Sequence, residues 1–538
     1  MNTMVVRTLL AMFPLATAFY ALLIGQDVNW DLRNYHFYNP FAFLTGRMGH
    51  DVAVSHVATY YNPLMHVPFY WAVSSLPPKA VGFILGLMPG LNAWLLYGIA
   101  RQAVDPGDGV KTKWFCLASA MVGMLGVMNL AEIGTSYGDN VLSLPVLAAV
   151  WLIVRFRERL HAPLSSSWPV AGAAGLLTGI AFGLKLPFAV YTVALCAAFF
   201  GLGLPWRQRF LLAFVFGLGV LAGAAASGGF WALEMWQRFQ NPVFPYFNHY
   251  FESPWGSIGS YRDERFIPTG MLMWLTFPIW FNIDPMQVGE VGFRDLRFPL
   301  LYLLMVALLV KAAANRMKRH AAIRVHSSTP SARMPVTAFF IIFVLATFVL
   351  WMKLFAVYRY LMVGEMLVPL TVFLVLGALL QNRRRQLQAA LAGFLLLLVT
   401  LAPGDWGRRP WAADYFGVEP PPIEKPESTI VLMAGHDAMA YMIPFFPHPV
   451  RFLRIQGYVT GPSESPNQTD RLMREIIAQN DGALLILYRA YEEWHALSAL
   501  KYYRLEADRA TCVQFVPRIE PQPEHPFFLC EVRKIKAP

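Results

Sequence analysis

The chain has 538 residues, of which 56% are hydrophobic and only 14% are charged, against roughly 25% charged in an ordinary soluble domain. The apolar residues gather into uncharged blocks of about 15–22 residues, which excludes a soluble globular protein, since too much apolar surface would need covering. A net charge of +11 suggests nucleic acid at first sight, but Lys and Arg sit between the apolar blocks and no basic stripe interleaves with aromatics.

The first block, Met4 to Ile24, looks like a secretory signal with Ala16 and Ala18 as a weak cleavage pattern. Cleavage there would leave a very short apolar region, and many blocks follow, so it reads as an uncleaved first helix. Candidate spans run 4–25, 80–100, 114–131, 141–154, 168–184, 187–204, 211–234, 298–314, 335–353, 361–380 and 388–402, about eleven in all, and a bilayer requires each to be a helix. The pair around Gly183-Leu184-Lys185-Leu186-Pro187 could equally be one broken helix; Pro63 to Leu76 is too short to span easily, and Met271 to Trp280 reads as interfacial. Alternating these spans puts the basic loops 101–113, 155–159, 207–209, 311–333 and 383–385 on one side, the cytoplasm by the positive-inside rule. The loops 26–79, 132–140 and 235–297, and everything after about 403, then lie on the other side.

Beyond the membrane domain, 1–402, the composition changes. Residues 403–427, with Glu419-Pro420-Pro421-Pro422 and Lys425-Pro426, read as a stiff linker. In 428–538, the runs at 428–433 and 483–488 suit buried strands, 468–480 and 491–500 suit helices, and 512–516 and 527–532 suit further strands, predicting a small α/β domain on the extracytoplasmic side. Cys116 and Cys196 fall in apolar blocks; Cys512 and Cys530 could pair if their domain faces an oxidising compartment. No phosphate-cradling glycine loop appears. His36, His50, His56, His66 and His249 share the extracytoplasmic side without a zinc-ligand spacing.

The richest stretch begins where the first span ends, at Gly25-Gln-Asp-Val-Asn-Trp-Asp-Leu-Arg-Asn-Tyr-His-Phe-Tyr38. Asp31, Asn34, Tyr35 and Tyr38 have the spacing of one helix face. Trp30, Phe37, Phe41 and Leu44 form a neighbouring apolar face that predicts a helix lying along the bilayer surface, with a kink or break at Pro40. A carboxylate at that depth suits a general base acting on an acceptor hydroxyl while a lipid phosphate leaves, its charge stabilised by Arg or Lys. Asp27 and Asp31 suit equally the capping of that helix. Asp139, in Glu132-Ile-Gly-Thr-Ser-Tyr-Gly-Asp-Asn140, is a second acid or a helix cap. Lys353 and Arg359, with Glu365, sit at a span's edge, where they either snorkel or line a pathway. Lys185 lies on the extracytoplasmic side, against the usual bias. The loop from Arg238 through Arg265 is aromatic and proline-rich and suits interface packing, or a lid.

The pattern Asp31-x3-Tyr35 with Ala42 and Leu44-Thr-Gly-Arg47, followed by Tyr60-Tyr-Asn-Pro-Leu-Met-His-Val-Pro-Phe-Tyr70, resembles the first loop of GT-C-fold membrane glycosyltransferases. Gly179-Ile-Ala-Phe-Gly-Leu-Lys-Leu-Pro187 is similar to their small-residue helix with a Lys, and Tyr358-Arg-Tyr-Leu361 to their late Arg-Tyr motif. The resemblance covers most of the membrane region in order. It implies a polyprenyl-phosphate sugar donor, inversion at the anomeric carbon, Asp31 as the base with Asp27 second, and Arg359 and Lys185 as contacts of the donor phosphate; from their own positions Asp139 is a further candidate acid and Lys353 a further candidate phosphate contact. Asn34, Tyr35, Tyr38, Tyr61 and Tyr358 become candidate substrate contacts. Two departures, the lack of an Asp-Glu pair in the first loop and Gly364-Glu365 after Arg-Tyr-Leu, leave the acceptor and any divalent-metal need open; no other cofactor is expected. The sequence-level reading is a bacterial inner-membrane glycosyltransferase of mainly α, GT-C-like fold, its cavity and C-terminal domain in the periplasm, transferring a sugar to a glycan, lipid or protein. A lipid-linked-glycan transporter or flippase is the alternative, favoured by internal repeats that are not evident here; a noncatalytic scaffold is a third.

Overall fold

The computed structural model describes residues 2–104, 109–321 and 333–535; the stretches 105–108 and 322–332 of two expected basic loops lie outside the described residues. Helices occupy all eleven expected spans: Asn2–Ile24, Pro78–Ala103, Gly109–Met124, Asp139–Arg155, Leu164–Leu184, Leu186–Gly201, Trp206–Phe239, Arg297–Ala321, Arg333–Leu354, Tyr358–Leu379 and Arg383–Thr400. Among the described residues, seven helices are long and apolar enough to cross a membrane. Of the rest, Gly109–Met124, Asp139–Arg155 and Leu186–Gly201 are shorter, and Arg383–Thr400 opens on three arginines. Met271–Ile283 is a 13-residue apolar helix with Met271, Leu272, Leu275 and Ile283 exposed.

The bundle has two chemically different ends. At one, Arg157 donates to the Gln102 carbonyl at 3.0 Å and Gln208 to the Ala162 carbonyl at 2.7 Å, so three basic loops meet. The Leu164–Leu184 helix starts there and, at 1.5 Å per residue, carries the chain about 30 Å to Lys185 at the other end. Small residues hold it against Trp206–Phe239: a Cβ added at Gly179 would strike the Val220 carbonyl, and one at Gly223 the Leu176 carbonyl. Without side chains between them the two backbones pack directly, the usual device of membrane helix pairs. The chain breaks at Lys185, whose backbone is extended, before a short turn over Leu186–Phe188. The Gly183–Pro187 region is thus two helices with the lysine at the joint.

The C-terminal region folds as a six-stranded sheet in the order β4-β3-β5-β8-β6, with β7 pairing β8 off that path. The strands are β3 (Ile430–Ala434), β4 (Arg451–Gln456), β5 (Leu484–Arg489), β6 (Leu505–Ala507), β7 (Val513–Phe515) and β8 (Phe527–Lys534). β3 pairs parallel to both β4 and β5, while β5 and β8 are antiparallel. Helices Gln468–Gln479 and Glu493–Tyr502 complete it, and Cys512 is disulfide-bonded to Cys530. β4 is the one long strand that the apolar runs did not reveal: its sequence, Arg-Phe-Leu-Arg-Ile-Gln, carries two arginines.

The stretch 403–427 packs against the first loop and the sheet region. β2 (Arg408–Arg409) pairs antiparallel with β1 (Gln26–Asp27), and the Trp411 indole donates to the Leu22 carbonyl at 2.8 Å. Tyr415 and Phe416 are buried in one apolar core shared by Val28, Leu32, Phe37 and Phe41 of the first loop and Met433, Tyr441 and Phe527 of the sheet region. The prolines shape a packed connection, and the 427/428 boundary does not separate two cores.

The expected bilayer-surface helix is also revised. Residues Leu32–His36 form a π-helical turn, followed by an α-helix over Tyr38–Leu44. The wider π turn sends Asp31 and Tyr38 in different directions, so the expected shared face does not form. Phe37 packs on Tyr70, Phe416 and Phe445. Phe37 and Phe41 therefore share a core with the C-terminal region where a lipid surface was expected, while Leu44 stays exposed. Its backbone adds to the sheet edge: the Val52 N–H donates to the Phe452 carbonyl and the Arg454 N–H to the Val52 carbonyl, each at 3.0 Å, covering a strand that would otherwise expose its donors. Buried ions complete the dock. Arg33 binds Glu520 at 2.9 Å, and Arg47 binds Asp51 at 2.7 Å.

Candidate active site

At the end of the bundle opposite the basic loops, four segments converge on Arg359. Its guanidinium is 3.1 Å from Asp31, 3.3 Å from Glu290 and 3.6 Å from Asp139. The Asp139 carboxylate also accepts from Lys185 Nζ at 2.6 Å, and Lys185 donates to the Tyr137 carbonyl at 3.2 Å. The guanidinium carbon lies 4.6 Å from the Tyr137 ring centroid and 4.7 Å from that of Tyr360. Held by two aromatic faces, it is fixed in plane with little entropy left to lose. Three carboxylates thus surround two cations.

Local structure explains why Asp31 is available. The turn that follows it is capped by Asn29, whose side-chain oxygen accepts the Leu32 N–H at 2.8 Å, and Asp31 makes no capping bond. Its side chain keeps 15% of its surface open beside Arg359 at 7%. Burial pushes its carboxyl above the usual carboxylate range, against the pull of Arg359 and Lys185. Burial raises Glu290 in the same way. Asp27 is different: its oxygens accept from the Asn29 and Ser136 backbone N–H groups at 3.1 and 3.0 Å and from the Asn29 amide at 2.7 Å. It ties the first loop to 135–137 and is 1% exposed. Asp139 occupies the first turn of Asp139–Arg155, where a carboxylate also suits the helix dipole.

Beside Asp31, Tyr35 contacts the rings of His36, Tyr61 and His66 edge-on, and the Tyr61 hydroxyl meets that of Tyr246. His36 and His66 stack with centroids 4.0 Å apart, and His36 Nδ1 lies 2.8 Å from the Ser136 hydroxyl. Burial holds His36 well below the ordinary histidine range and His66 at about 3, so both are neutral at physiological pH.

Other singled-out residues lie elsewhere. Asn34 donates to the Ser55 carbonyl at 3.1 Å, and Tyr38 donates to Asp51 at 2.8 Å, both toward the C-terminal region. Tyr358 is fully buried among Phe281, Phe293, Phe298 and Trp351; its neighbour Tyr360 faces Arg359. Lys353 is exposed, with its carbonyl accepting from Arg262. Glu365 accepts the Met128 and Asn129 N–H groups at 3.1 and 3.3 Å, capping the Val127–Glu132 helix from a neighbouring span. Sequence reasoning missed Glu290, which stands on no motif. Its approach to Arg359 depends on the fold of a loop 69 residues away in sequence.

No protein-family model matches this sequence, and no curated protein is similar to it in sequence. Solved structures similar to it include the oligosaccharyltransferase of Archaeoglobus fulgidus in its apo form, at 11% identity and a TM-score of 0.42 over 92% of this chain and 71% of that one. The same enzyme tethered to an acceptor peptide containing an NVT sequon gives 12% and 0.44 over 92% and 70%. ArnT from Cupriavidus metallidurans bound to undecaprenyl phosphate gives 13% and 0.44 over 97% of each chain.

Proposed function

We propose that this protein is a membrane glycosyltransferase that moves a sugar from a polyprenyl-phosphate carrier to an extracytoplasmic glycan, lipid or protein. The observation that carries the reading is the convergence of Asp31, Arg359, Asp139 and Lys185, from four segments, at the bundle end away from the basic loops. Asp31 takes the proton of the acceptor hydroxyl as its oxygen attacks the anomeric carbon. The new C–O bond forms as the bond to the carrier phosphate breaks, its electron pair passing to the phosphate oxygen, with inversion at carbon. Arg359 and Lys185 meet the charge that grows there. Asp139 orients both cations, and Tyr137 and Tyr360 hold the Arg359 plane. The disulfide between Cys512 and Cys530 supports an oxidising compartment for this face, the periplasm in a bacterial cell.

The test is transfer of label from polyprenyl-phosphate sugars to envelope acceptors by the purified protein. Wild-type transfer that Asp31→Asn abolishes supports the reading; transfer that survives Asp31→Asn removes the base. Movement of a lipid-linked glycan across liposomes without transfer would replace the enzyme by a transporter.

A further inference from the structure

A second concentration of ligating side chains lies in the C-terminal sheet, away from Arg359. The chain leaves β3 toward β4 on one side and returns on the other side as β5, both parallel to β3. Where strand order reverses in this way, a crevice opens beyond the carboxyl ends of the strands, and α/β sheets bind ligands there. The loop after β3 brings His436 to this crevice; the chain after β5 brings Glu492 and His495.

Ligand atoms of these three residues all lie within 4.8 Å of one another, and among the described residues they form the one such group of three or more His, Cys, Asp or Glu. Glu492 is buried, and its carboxylate accepts the backbone N–H groups of His436 at 2.6 Å and Asp437 at 3.3 Å. Gly435, at φ +117°, makes room for it: a Cβ there would strike a carboxylate oxygen. The acid is thus clamped, and the loop bearing His436 is clamped to it. His436 Nδ1 stands 3.8 Å from Glu492 Oε1 with 34% of its side chain exposed. The two imidazoles meet at 74° with centroids 4.7 Å apart, an angle that lets their nitrogens face one point.

We propose that His436, Glu492 and His495 bind a divalent transition ion of the zinc class. Two histidines and a carboxylate form a known zinc ligand set, with bonds of about 2.0–2.2 Å and ligand atoms then about 3.4 Å apart. Closing from the observed spacing asks for a side-chain rotation of the two partly exposed histidines, while Glu492 stays in place. Three protein ligands leave a fourth position for water or an anionic group of a bound molecule.

The experiment uses the full-length protein in detergent, stripped with a chelator and titrated with zinc against a chromophoric competitor. Wild type is expected to bind one tight equivalent. Loss of an outer-shell partner already costs about 10–100-fold, so His436→Ala and His495→Ala are each expected to weaken binding by more than about 100-fold, while Asp31→Asn retains it. Zinc should also protect His436 and His495 of the wild type from diethyl pyrocarbonate, read by mass spectrometry, which needs no variant to fold. No tight equivalent in wild type, unchanged binding in both histidine variants, loss of the equivalent in Asp31→Asn, or unprotected histidines would each overturn the proposal.

Discussion

The first loop faces two partners, and its charged groups fare differently against each. Toward the C-terminal sheet, Arg33, Arg47 and Asp51 are buried and saturated: Asp51 accepts from Arg47, Tyr38 and the Phe452 N–H, and Glu520 accepts from Arg33, Arg489 and Tyr441. Toward the membrane helices, Asp31 has one direct partner, a side chain still partly open, and a carboxyl raised by burial. Saturated ions fix a geometry and resist proton exchange. An undersatisfied carboxylate beside a cation keeps the capacity to take a proton. Asp27, four residues from Asp31, also faces the membrane region at Ser136, yet its oxygens are saturated, so Asp31 alone of the two keeps that capacity.

The comparison breaks most sharply at Asp31. Asp31→Asn is expected to lower kcat for sugar transfer by about 10²–10⁴-fold, the contribution of general base catalysis, with the unfolding midpoint unchanged; equal losses in both would make Asp31 structural. On the sheet side the sign reverses. Glu520→Gln strips a buried charge from Arg33 and Arg489, and removing one partner of a buried pair costs about 3–5 kcal/mol. Thermal unfolding of the detergent-solubilised protein should show that loss directly. Lys185→Ala removes one charge-assisted contact of about 1.5–3 kcal/mol, so kcat/KM for the polyprenyl-phosphate donor should fall about 10–100-fold, and a loss confined to acceptor saturation would contradict its placement.

The pH profile sharpens the comparison further. A base must be ionised to act, and burial raises Asp31, so activity should fall as pH drops through a value above 3.8, the ordinary carboxylate position. An acid limb at or below that value would mean that Asp31 is not the titrating group. The smallest effect is expected at Lys353, exposed and outside the Arg359 cluster: Lys353→Ala should leave steady-state transfer kinetics unchanged.

Much of the site was legible as residues, less as geometry. Asp31, Asp139, Lys185 and Arg359 stand out because charge at a span's edge is costly unless it has a partner. Which partner each takes could not be read from spacing, since Asp31 and Arg359 are 328 residues apart. The α-helical period does not hold at Asn34 and Tyr38, because Leu32–His36 is a π turn. Spacing also misses Glu290 and the His436–Glu492–His495 group, whose members meet only when β3 and β5 lie side by side.

The sequence by itself determined the eleven helices and the side on which the basic loops fall, because a bilayer filters segments by length and hydropathy one at a time. The tertiary structure decided which carboxylate stays available and which is consumed, and that the linker and first loop share a core with the sheet. Those outcomes depend on contacts between distant segments, and local pattern holds no record of them.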